Sequence, residues 1–122
     1  MNLRHLPACL LLAAISALTL VSCEPTDDFT PPTVRVISPH QGDTLGSGSF
    51  TMTALATDDY EMQRVCFWAD NDLLGFDEFP HGDTYRLAVD GARLSGWMML
   101  EANAVDRARN QSFDTVRVYF TP

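Results

Sequence analysis

Three cysteines, three histidines and two tryptophans are the side chains of this 122-residue chain best equipped for chemistry. A cysteine with a basic neighbour can supply a thiolate nucleophile, and paired histidines can hold zinc. Neither pattern is met. Cys66 lies in the middle of an extended run, with no helix N-terminus or base nearby in sequence to lower its pKa. His40 and His81 fall in loops flanked by Pro or Gly, and no His-Glu-x-x-His spacing occurs. There is no Gly-x-Ser-x-Gly elbow, and Gly46-Ser47-Gly48-Ser49 reads as a turn before a strand rather than a phosphate cradle. The acids are more numerous. Asp27, Asp28, Asp58, Asp59 and Asp106, with Asn110, are hard oxygen ligands on separate loops, the kind calcium takes in sets of six to eight. No spacing among them forms a complete calcium motif. The expectation is a non-catalytic protein with no cofactor and no committed metal ligand; a calcium-dependent module is the alternative that the acids leave open.

The elements that must position these residues begin at the N-terminus. Met1 to Pro7 carries Arg4, and Ala8 to Leu20 follows without a charge. Those thirteen residues are too few to cross about 30 Å of hydrocarbon at about 1.5 Å per helical residue. A positive start, a short apolar run and small residues after it are the marks of a signal peptide. Leu20-Val21-Ser22-Cys23 then resembles the lipobox of bacterial lipoproteins. That resemblance implies cleavage of residues 1–22, acylation of Cys23 and attachment to a membrane through the N-terminal lipid. Glu24 follows the cysteine where aspartate would favour retention in the inner membrane, so the implied location is the outer membrane, facing the periplasm or the cell surface.

Cleavage would leave 100 residues, room for one small domain and a tether. The formal charge of −8 becomes −9 when Arg4 is lost, which repels nucleic acid and anionic headgroups alike. Cys9 leaves with the signal peptide and Cys23 takes lipid, so Cys66 has no intramolecular disulfide partner; an intermolecular disulfide remains open to it. Residues 23–32 carry three prolines and three acids, a lipidated cysteine followed by an extended tether reaching about 30 Å.

From Thr33 to the end the text changes to short alternating runs. Val34 and Val36 share a face of 33–38, while Phe50, Met52, Ala54 and Ala56 share one of 49–57. Val65, Phe67 and Ala69 point inward from 64–70, and 73–74 is a very short strand ended by Gly75. A run at 85–89 precedes a longer one at 97–105, with Met98, Leu100, Ala102 and Ala104 in phase. The last, 115–120, puts Val116, Val118 and Phe120 together. Period-2 patterning with turn residues between predicts an all-β antiparallel β-sandwich of about seven strands over residues 33–122, with no helix.

Four segments resemble those of bacterial Ig-like domains. They are Pro32-Thr33-Val34-Arg35-Val36-Ile37-Ser38-Pro39, Ala54-Leu55-Ala56-Thr57-Asp58-Asp59, Val65-Cys66-Phe67-Trp68-Ala69-Asp70 with Leu73-Leu74-Gly75, and Ala102-Asn103-Ala104-Val105-Asp106-Arg107-Ala108-Arg109-Asn110. Arg109 stands where the family's Asp-x-Ala-Gly-Asn turn has glycine. The resemblance implies an immunoglobulin-like sandwich of the sort used for adhesion, spacing and carbohydrate-associated modules. In that topology the strands around 62–70, 97–105 and 114–120 are neighbours, with 97–105 central. Cys66, Trp68, Trp97, Met99, Arg117 and Tyr119 then face outward, and Trp68, Trp97, Met99 and Tyr119 gather at the end away from the tether. Exposed aromatics rimmed by polar groups suit a partner surface. The expected role is a lipid-anchored binding or adhesion module, its partner an envelope protein or a carbohydrate. A structural spacer or assembly subunit is the alternative, in which the aromatics merely pair across strands.

Overall fold

The structure is a computed structural model that describes residues 29–122. The expected signal segment, Cys23, Glu24, Asp27 and Asp28 lie outside the described residues. Eight strands follow one another: β1 (Thr33–Ser38), β2 (Thr44–Leu45), β3 (Ser49–Thr57), β4 (Met62–Ala69), β5 (Asp72–Asp77), β6 (Thr84–Asp90), β7 (Gly96–Asp106) and β8 (Gln111–Phe120). They form two sheets, one ordered β1-β3-β6 and one ordered β2-β8-β7-β4-β5. This is the immunoglobulin-like sandwich. All pairings are antiparallel except that of β2, whose two residues run parallel to Tyr119 and Phe120. Alternation needs more than two residues to register, so β2 is invisible in the sequence.

The alternating residues form the core. Met52, Val65, Phe67, Leu100, Val118 and Phe120 are fully buried, interleaved with Ala54, Ala69, Ala102 and Ala104. Ala102 stands beside Phe67 on the neighbouring strand, and the Phe50 ring of β3 meets Phe120 across the sandwich at 5.5 Å, so large and small side chains together fill the core as dense packing requires. Burying a phenylalanine this way contributes about 2–3 kcal/mol.

The two open sides of the sandwich differ. Along β1 and β8 the sheets are laced together: Asp114 Oδ2 accepts from the Val36 N–H at 2.7 Å, and Ser112 Oγ donates to the Pro32 carbonyl at 2.6 Å. On the side of β5 and β6 a fissure of about 520 Å³ remains, lined in part by Leu73, Leu74, Val89 and Leu94.

The chain reversal after β7 is built on Asp106. Its side chain is fully buried, with Oδ1 accepting from the N–H groups of Ala108 and Asn110 and Oδ2 from Asn110 Nδ2, at 2.8–2.9 Å. Arg109 closes the turn at φ 73°, the left-handed conformation that glycine adopts without steric penalty. Arg109 stands in the place of the resembled motif's glycine and takes a conformation open to glycine.

Candidate functional site

The outer faces of the two sheets are chemically unlike. Thr33, Arg35, Thr51, Thr53, Thr57, Thr84 and Arg86 dominate the three-stranded sheet, as the alternation of its strands places them. On the five-stranded sheet the outward positions carry Leu73, Phe76, Trp97, Met99 and Phe113, all among the exposed large hydrophobic residues. The strand registers arrange them in rows. At the end where the chain enters at Pro32, Gln111, Val105 and Arg64 stand side by side, then Phe113, Asn103, Cys66 and Phe76. Next come Thr115, Glu101, Trp68 and Leu73, then Arg117 beside Met99, and finally Tyr119 beside Trp97.

At the distal end the Trp97 and Tyr119 rings meet edge to face, their centroids 5.3 Å apart. The Arg117 guanidinium lies 4.5 Å from the Trp97 ring centre, a cation–π contact. These neighbours hold the indole in place, yet Trp97 stays 52% exposed and Met99 42%. A preordered aromatic of this kind loses little side-chain entropy when a partner covers it. The turn at Asp70 fixes the adjoining edge: its N–H donates to the Met99 carbonyl, and its Oδ1 accepts from the Met99 N–H at 3.0 Å.

Of the four residues expected on this surface, Trp97, Met99 and Tyr119 stand together. Trp68 shares the face but sits opposite Glu101, two outward positions along β7 from Trp97, and is half-buried. Phe76, Leu73 and Phe113 add to the face and were not among the expected residues. Phe76 lies beyond Gly75, the expected end of its strand, because β5 runs on to Asp77. Phe113 precedes the expected start of β8, because the inward residues there are Ser112 and Asp114 and the hydrophobic alternation fails. Phe79 is 84% exposed in the loop after β5.

Cys66 is half-buried between Asn103 and Phe76. Burial pushes its thiol up from the ordinary range, Glu78 adds to that, and Arg64 pulls the other way. The result is a neutral thiol of low nucleophilicity. Arg64 itself pairs with Glu78 at 3.2 Å and lies over the Phe76 ring at 5.4 Å. His40 is exposed beside Asp43, and His81 bridges to Thr84.

Two of the acids of the opposite end, Asp58 and Asp106, are engaged in turns. Asp106 spends both oxygens on the β7–β8 turn, and Asp58 Oδ2 caps the Tyr60 and Glu61 N–H groups. Among the described residues no group of three or more His, Cys, Asp or Glu is arranged to hold a metal ion. Also among the described residues, no helix is long and apolar enough to cross a membrane.

Comparison with known proteins agrees with this architecture. A similar solved structure is that of the fibronectin(III)-like modules of Clostridium thermocellum CbhA, with a TM-score of 0.68 at 20% identity over 78% of this chain. An engineered protein matches with a TM-score of 0.57 at 16% identity over 75% of this chain and 20% of its own. A modular endo-β-1,4-mannanase from Cellulomonas fimi matches with a TM-score of 0.55 at 17% identity over 74% of this chain and 18% of its own. The chain spans about half the length of the CbhA structure, 49%. At these identities the likeness is one of fold. No curated protein matches the sequence. The bacterial Ig domain family matches at residues 32–96, which is more than half of the chain, and the protein belongs to that family.

Proposed function

We propose that this protein is a lipid-anchored binding module of the bacterial cell envelope, held at Cys23 and contacting its partner through Trp97, Met99 and Tyr119, with Trp68 flanking them. Bacterial Ig domains are often extracellular or envelope-associated, and Ig-like and fibronectin-type modules are typically non-catalytic. The observation that carries the reading is the exposed Trp97, held by Tyr119 and Arg117 on the outer face of the five-stranded sheet. Leaving so large an apolar group in water is unfavourable by roughly 1–2 kcal/mol, which burial under a partner would recover. The lipobox, the outer-membrane position and the tether over residues 23–32 supply the anchoring half of the proposal.

In-cell photo-crosslinking from position 97 in the full chain tests it. A dominant captured partner, an envelope protein or a glycan, that is lost in Tyr119→Ala supports the contact surface. Absence of any capture from this exposed position overturns it and favours a spacer or assembly subunit with no ligand at that end.

A further inference from the structure

The tether-proximal half of the same sheet face carries its own apolar row, separate from the Trp97 cluster. Phe113, Asn103, Cys66 and Phe76 stand side by side on β8, β7, β4 and β5. Phe113 is 59% exposed and Phe76 52%, and they bracket the row at its two outer strands. The row is therefore balanced about a line running along the strands between β7 and β4. Asn103, though outward, is almost buried beneath these neighbours.

We infer that this half of the sheet is a self-association surface, whose occupant is a second copy of the chain related by a twofold axis along that line. A twofold axis makes an interface reciprocal, so residue i meets residue j twice. Here it places Phe113 of each copy over Phe76 of the other. One row further from the tether, Thr115 comes over Leu73, and beyond that Arg117 comes over the acidic turn from Asp70 to Asp72 of the second copy. That last pairing is charge-complementary; the alternative axis across the strands sends Arg117 past the tether-proximal end, where it meets no such turn. The chosen axis also lets both chains leave the interface at the same end, as two tethers on one membrane must. Trp97 and Tyr119 lie one row beyond the contact, whereas Met99 and Arg117 stand in its last row and Trp68 in the row before, so the second copy and the partner proposed above share part of this face.

Size decides the strength. Four strands about 4.8 Å apart and about 20 Å of strand length give roughly 400 Å² per copy. A stable interface buries about 800 Å² per partner. The dimer is accordingly weak in dilute solution and depends on the high local concentration that a shared surface provides, a condition that rests on the anchoring proposed above.

The experiment places a photo-reactive phenylalanine analogue at position 115 in the full chain, in its host membrane, and maps the products by mass spectrometry. A covalent dimer linked from 115 to β5 is the expected product. Phe113→Arg and Phe76→Asp, which alter exposed side chains, should each lower its yield about tenfold or more, a difference of about 1.4 kcal/mol. The two substitutions together should restore it, because each copy then offers an arginine opposite an aspartate. Circular dichroism of the single variants verifies that they fold. Links from 115 to β8 of the second copy, capture of a different protein alone, or no dimer at all would each overturn the inference; none of these affects the result at position 97.

Discussion

The carboxylate of Asp114 on β8 accepts a 2.7 Å hydrogen bond from the backbone N–H of Val36 on β1, joining the two sheets across one open side of the sandwich. Val36 belongs to an edge strand, whose outward N–H groups have no neighbouring strand to pair with. Asp114 takes the place of that strand. Asp114→Ala should therefore destabilise the domain by about 1–3 kcal/mol, the range for an orphaned, partly buried donor to a charged acceptor. Urea titration should show a lower midpoint at an unchanged slope. A midpoint equal to wild type would mean that Val36 finds water instead.

The β7–β8 turn makes a paired prediction of opposite signs. Arg109 holds φ 73°, so Arg109→Gly should stabilise by about 0.5–1 kcal/mol by relieving the left-handed strain. Asp106→Ala removes the acceptor for two N–H groups and the Asn110 amide from a buried position. It should destabilise by roughly 3 kcal/mol or more. Thermal melts of both variants beside wild type decide the pair, and a stabilising Asp106→Ala would refute the role given to the carboxylate.

The faces of β4 and β7 separate core from surface. Phe67 is fully buried, and Phe67→Ala should cost about 3–5 kcal/mol. Trp68→Ala combined with Trp97→Ala should leave the fold intact, with a melting temperature closer to wild type than that of Phe67→Ala, while abolishing partner capture by a photo-probe placed at position 119 instead. Unfolding of that double variant would place the indoles among the structural residues.

Alkaline pH should weaken the fold. Tyr85 is buried against β3, and its phenol is pushed up by burial first, then by Asp77 and Asp83; Cys66 is pushed up as well, chiefly by burial. Both groups are neutral in the folded state at neutral pH, and their folded pKa values lie above the unfolded ones. Their stabilisation is thus complete below the unfolded values, about 8.5 for a thiol and about 10 for a phenol, and is lost as pH rises through the folded ones. Denaturation midpoints measured from pH 7 to 11 should fall at the upper end, with a shallower fall in Tyr85→Phe. The same neutral thiol should make Cys66 slower to alkylate at pH 8 than in the unfolded chain.

Anchoring is checked by fractionation. Cys23→Ala should leave the protein unprocessed or soluble; unchanged membrane attachment would remove the basis for the lipid anchor.

The sequence by itself determined the class of fold and the inward phase of its strands. Val65, Phe67 and Ala69, or Leu100, Ala102 and Ala104, alternate because a residue in a two-sheet sandwich must face either core or water, and that choice is written locally. The outward placement of Trp97, Met99 and Tyr119 follows from the same alternation once β7 and β8 are paired. Tertiary structure alone decided what depends on register. Trp68 falls opposite Glu101 rather than beside Trp97, and Phe113 and Phe76 meet Asn103 and Cys66 in one row, because cross-strand neighbours are fixed by pairings between residues far apart in the chain. The two-residue β2 and the polar inward positions Ser112 and Asp114 at the start of β8 are hidden for a related reason. Their positions are stabilised by specific hydrogen bonds to distant backbone, to Pro32 and Val36 for Ser112 and Asp114, and such bonds leave no hydrophobic period to read.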